Sequence, residues 1–165
     1  MELYILRHGK AEKNIADGGS DADRRLTGRG IKDVKKIAGW LRFSGILFGV
    51  IGTSPLVRAA ETAEIIATDL KSPRRPDVWG SLEPGSDPDR LKEDIRACGS
   101  EGQILIVGHE PMLSTLIGEI IADQGNARVV LRKGGLALIS GIGSDETLKG
   151  RLSLLIDPGW IQDRE

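Results

Sequence analysis

Two short apolar runs constrain this chain more than any other feature. Leu3, Tyr4, Ile5 and Leu6 lead into Arg7, His8, Gly9 and Lys10, and Ile104, Leu105, Ile106 and Val107 lead into Gly108 and His109. A continuous apolar run of this length reads as a strand buried on both faces, as in parallel sheets covered by helices. The two histidines of the 165-residue chain then fall at the same end of two such strands. In an open α/β sheet that carboxyl edge is where ligands bind, so the sequence is building one site.

The segments around these runs read mostly as helices. Thr27 can cap a helix in which Ile31, Val34, Ile37, Ala38 and Leu41 recur at helical spacing before Ser44 and Gly45 end it. A short strand is expected over residues 47–51. Ser54 as cap, with Pro55 at the first helical position, then starts a second helix whose first turn carries Arg58. Asp87 and Pro88 open a third helix and Pro111 a fourth, while residues 129–131, 136–140 and 152–156 read as strands separated by glycine turns. Strands alternating with helices predict an α/β fold. We expect one three-layer α/β/α domain over residues 1–165, its sheet mostly parallel with an antiparallel element near the carboxyl end.

Composition narrows the function. A formal net charge of -1 gives no reason to expect nucleic acid or an anionic membrane as partner. The single Cys98 forms no internal disulfide, fits a reducing compartment and reads as a small buried hydrophobe. No apolar run approaches the roughly 20 residues of a membrane helix and no signal-peptide pattern opens the chain, so a soluble cytoplasmic protein is expected. The absence of a glycine-rich loop ending in Gly-Lys-Ser or Gly-Lys-Thr argues against a nucleotide-binding protein.

Arg7, His8, Arg58 and His109 collect at the sheet edge, with Glu83 on a neighbouring loop. Two guanidinium groups and helix amino termini describe a pocket for a doubly charged oxyanion, because the arginine fork suits phosphate. An imidazole with one nitrogen deprotonated is a nucleophile near neutral pH, and its attack on phosphorus gives a phosphohistidine. Holding its other nitrogen on a backbone carbonyl fixes the tautomer. Arg7, Arg58 and a protonated His109 then neutralise the phosphoryl oxygens without a metal or other cofactor, and Glu83 is the candidate proton donor for the leaving group. Gly9 lets backbone approach the phosphate, and Lys10, Asn14 and Thr53 are candidates for reaching the substrate.

The Leu6-Arg7-His8-Gly9 run, the Thr53-Ser54-Pro55 segment leading to Arg58 and Glu61-Thr62, and Val107-Gly108-His109 together resemble the histidine phosphatase superfamily, also called phosphoglycerate mutase-like. The resemblance runs nearly end to end. It implies that His8 is the phosphorylated nucleophile and that Arg7, Arg58 and His109 bind the phosphoryl group. The short length is similar to that of the SixA-like phosphohistidine phosphatases. Larger relatives insert a helical lid between the acid and the second histidine, whereas only 26 positions separate Glu83 from His109. The resemblance implies that an open pocket of this kind admits a phosphorylated side chain on another protein. The expected partner is thus a phosphohistidine protein or a small phosphate ester, and the alternatives are a small-molecule phosphatase or mutase and a non-catalytic module that recognises phosphate.

Overall fold

The computed structural model describes residues 1–13, 15, 18–99, 102–123, 127–143 and 148–162. Its strands are β1 (Glu2–Arg7), β2 (Val50–Thr53), β3 (Asp77–Val78), β4 (Gln103–Gly108), β5 (Leu136–Ser140) and β6 (Arg151–Ile156). They form one sheet in the order β3-β2-β4-β1-β5-β6. The first four are parallel to one another; β5 pairs antiparallel to β1, and β6 antiparallel to β5. The helices are α1 (Gly28–Phe43), α2 (Val57–Asp69), α3 (Pro88–Ala97) and α4 (Met112–Ile121).

Strand alternation builds two cores, one on each face. Leu3, Ile5, Ile104 and Ile106 pack with Leu91 and Ile95 of α3 and Leu113, Leu116, Ile117 and Ile120 of α4. The alternate residues Tyr4, Leu6, Leu105 and Val107 pack with Val34, Ile37 and Leu41 of α1 and Ala59, Ala63 and Ile66 of α2. Side chains of successive strand residues point to opposite faces, so runs that look uniformly apolar serve both layers. Leu6 of β1 is level with Val107 of β4, and Arg7 with Gly108. The following residues, His8 and His109, therefore leave the sheet side by side.

Four local expectations are corrected. The strand expected at 47–51 is displaced: Leu47 is exposed, Phe48 is buried edge-on against Tyr4, and pairing runs from Val50 opposite Ile104 to Thr53 opposite Val107. The polar residues closing β2 hid its true end. Ser54 does not cap α2, whose N-cap is Leu56; the Ser54 N–H still bonds the Val107 carbonyl at 3.0 Å, prolonging the strand. Residues 129–131 are not a strand, and Leu131 instead buries its side chain while its carbonyl receives a site arginine. Ile31 lies at the exposed side of α1, because Gly30 is the residue turned inward. A Cβ on Gly30 would stand 2.1 Å from the Lys10 carbonyl oxygen, so only glycine allows α1 to approach the chain leaving β1.

Candidate active site

His8 and His109 are both buried, and their ring centroids lie 5.0 Å apart. His8 Nδ1–H donates to the Gly9 carbonyl at 2.7 Å, which leaves Nε2 with its lone pair free. His109 is held at the opposite nitrogen. Its Nε2 lies 2.8 Å from Ser54 Oγ, which also accepts from the Leu56 N–H at 3.3 Å. A serine hydroxyl has one hydrogen and two lone pairs, so Ser54 can pair Nε2 in either tautomer; an anion at the unpartnered Nδ1 calls for the ring proton there, with the hydroxyl donating to Nε2.

Burial pushes the His8 pKa down to about 4, assisted by the charges of Arg58, Arg7 and Lys133 and opposed by the Gly9 hydrogen bond. Burial, then His8, Arg58 and Arg7 push His109 down to about 3, against the pull of Asp21. Both imidazoles are neutral at pH 7 in the ligand-free site. In the ligand-free site burial and the neighbouring cations disfavour charge on His109, whereas the negative charge of a bound phosphoryl group would favour it.

Two arginines complete the cup. Arg7 Nη1 donates to the Leu131 carbonyl at 3.0 Å, and Arg58, in the first turn of α2, uses Nη1 and Nη2 on Asp21. Glu61, one turn along α2, is taken by Arg25 and the Leu26 N–H, and Arg58 is held from the Asp21 loop instead. Among the described residues, the buried side-chain atoms left without a hydrogen-bond partner are Arg7 Nε, Arg58 Nε and His109 Nδ1. All three belong to this one site: the two arginine N–H groups are donors, and the His109 nitrogen joins them in the tautomer that carries its proton there. Buried donors are normally satisfied, so this set defines a place for an anion.

The other sequence candidates separate. Gly9 is fixed by its N–H donating to Thr62 Oγ1 at 3.1 Å. A Cβ there would stand 2.8 Å from Val34 Cγ2 and 3.1 Å from the Gly30 carbonyl oxygen, so packing against α1 also calls for glycine at this position. Thr53 is buried, with its hydroxyl donating to the Ser54 carbonyl at 3.2 Å. The Lys10 side chain is exposed at the mouth. Asn14 lies outside the described residues. Glu83 is exposed and follows Leu82, which packs over Gly108, but its carboxylate has no hydrogen-bond or ion-pair partner among the described residues.

Three residues at the site escaped the sequence reading: Ser54, Asp21 and Lys133. Desolvation, then Arg7, Arg24, Lys10 and Lys13 hold the Lys133 ammonium below the usual lysine range. Its loop is clamped at the end of β1, where the Gly134 N–H meets the Arg7 and His8 carbonyls at 3.1 and 3.0 Å. The signal was topological. Because β5 runs antiparallel to β1, with Leu136 opposite Leu6, the basic turn before β5 must fall at the site edge.

The sheet thus ends in a cup of two histidines and two arginines, a set of groups suited to an oxyanion. Residues 3–82 match the histidine phosphatase superfamily (branch 1). The phosphohistidine phosphatase SixA of Escherichia coli is 30% identical over 126 residues, covering 75% of this chain and 76% of that protein. A structure of the protein histidine phosphatase SixA complexed with tungstate superposes with a TM-score of 0.85 at 25% identity, covering 98% of this chain and 100% of the other. The alpha-ribazole phosphatase of Shigella flexneri shares the fold, with a TM-score of 0.68 at 22% identity over 96% of this chain and 97% of that one. The chain belongs to the histidine phosphatase superfamily, whose members are phosphatases and mutases. Within it, the likeness is to SixA.

Proposed function

We propose that the protein is a phosphatase that takes the phosphoryl group onto His8 and releases it to water, and that its substrate is phosphohistidine in another protein. The observation that carries this reading is the set of unpartnered nitrogens, Arg7 Nε, Arg58 Nε and His109 Nδ1, around an imidazole whose Nε2 is unprotonated. Arg7, Arg58 and His109 bind the phosphoryl oxygens. His8 Nε2 attacks phosphorus as the substrate's P–N bond breaks. The bonding pair passes to the substrate imidazole, which takes a proton from solvent. Water then attacks the phosphorus on His8, restoring Nε2 and releasing inorganic phosphate, with the water proton passing to solvent.

Glu83 favours the phosphohistidine substrate over an alkyl phosphate. Its carboxylate is exposed, and no hydrogen-bond or ion-pair partner among the described residues aims it at a leaving group. An imidazole departs without such help far more readily than an alkoxide. The likeness to SixA supports the same choice. A phosphohistidine protein, phosphotyrosine peptide, sugar phosphate and aryl phosphate assayed side by side test it. The highest kcat/KM is expected for the phosphohistidine protein, and a sugar phosphate turned over faster would refute the substrate assignment. Phosphoglycerate isomerisation without phosphate release would instead establish a mutase.

A further inference from the structure

Both terminal nitrogens of Arg58 are engaged by one residue. The Asp21 carbonyl accepts from Nη1 at 2.8 Å and Asp21 Oδ2 from Nη2 at 3.0 Å, while Oδ1 accepts from Arg24 Nε at 2.8 Å. The Arg58 side chain is 5% exposed and that of Asp21 62%. The aspartate thus grips a buried cation from the solvent side. Desolvation opposes ionisation of its carboxyl, but the hydrogen bonds and charges of Arg24 and Arg58 hold its pKa below the usual carboxylate range.

A carboxylate beside an anion site can act in two opposite ways. It can occupy the arginine and compete with phosphate, or it can aim the arginine. The guanidinium is planar, and its N–H groups point in fixed directions. Two hydrogen bonds on its terminal nitrogens therefore fix where Nε–H points, and that N–H is the one left buried and unpartnered. Water also screens the repulsion between an exposed carboxylate and a bound anion.

We infer that Asp21 is a positioning residue: by holding Arg58 at both terminal nitrogens it directs Arg58 Nε–H at the phosphoryl group bound beside His8. The inference rests on the phosphatase reading for its ligand, yet direct binding of inorganic phosphate tests it without turnover. Phosphate affinity is measured by calorimetry for wild type, Asp21→Ala and Asp21→Asn, together with kcat and KM on an aryl phosphate. Asp21→Ala is expected to weaken phosphate binding and raise KM about tenfold, the scale of losing a partner that orients a ligating side chain, with the smaller change in kcat. Asp21→Asn keeps an oxygen acceptor and the carbonyl, and should stay within about threefold of wild type, because a neutral acceptor of the same shape still orients the fork.

Tighter phosphate binding by Asp21→Ala would overturn the inference and make Asp21 a competitor. Unchanged binding in both variants, or equal weakening in both, would also overturn it. Melting curves identify any loss due to misfolding. If Asp21→Ala does not fold, Asp21→Ser, whose oxygen is too short to reach Arg58, takes its place: binding weakened well beyond that of Asp21→Asn supports the inference, and binding equal to that of Asp21→Asn refutes it. Wild-type protein that binds phosphate and hydrolyses nothing refutes the phosphatase reading while leaving the Asp21 result standing.

Discussion

The ends of β1 and β4 deliver the same residue type to the same depth, yet prepare it for opposite work. At β1 a backbone carbonyl takes the Nδ1 proton of His8 and leaves a bare Nε2. At β4 a side-chain hydroxyl pairs with Nε2 of His109 and leaves Nδ1 without a partner, free to carry the proton that an anion would meet. Both rings lose their charge to burial and neighbouring cations, with pKa values pushed down to about 4 and about 3. Burial removes the charge, but the hydrogen-bond partner chooses which nitrogen faces the ligand. One histidine becomes a lone pair and the other a donor.

The comparison breaks most sharply at the lone pair. His8→Ala is expected to lower kcat/KM by roughly four orders of magnitude or more, as removal of a nucleophile does, in steady-state assays on phosphohistidine protein. Next comes the donor: His109→Ala should cost about 10²–10³ in kcat, the scale of one lost oxyanion donor. A loss as large as that of His8→Ala would erase the distinction between the two ends.

Acid tests the charge state that both ends share. Each imidazole is harder to protonate folded than unfolded, so on lowering the pH below 6.5 the unfolded chain takes up protons first and stability falls. The loss accumulates until the folded pKa values near 4 and 3 are reached. At about 1.4 kcal/mol per pH unit below 6.5, the loss by pH 4.5 is on the order of 2–3 kcal/mol for each ring. Denaturant unfolding at pH 7 and pH 4.5 checks it, and His8→Ala should flatten the dependence. Over the same range kcat/KM should hold to pH 5 and fall near pH 4, because activity needs neutral His8; an acid limb near 6.5 would contradict the depressed pKa. The smallest effect sharpens the tautomer claim. Ser54→Ala should reduce kcat/KM about tenfold through a misoriented His109, and an unchanged value would mean that the hydroxyl does not choose the tautomer.

The sheet and the four residues Arg7, His8, Arg58 and His109 were legible because their signals are local. Apolar runs end at the histidines, and Arg58 stands at the start of a clear helical stripe. What escaped depends on approach between distant segments. Ser54 reads as a helix cap until β4 brings His109 to its hydroxyl. Asp21 is one of several acids in a polar loop until that loop folds over Arg58, and Gly30 is an anonymous helix residue until Lys10 crosses it. Lys133 was recoverable, since an antiparallel β5 already places the preceding turn at the site.

The central claim is that His8 accepts the phosphoryl group. Rapid quench of the protein with radiolabelled phosphohistidine substrate, followed by mapping of the acid-labile label, tests it directly. The account predicts label on His8 that decays as inorganic phosphate appears, and none in a folded His8→Ala variant. Label on another residue, or label persisting in His8→Ala, would contradict it.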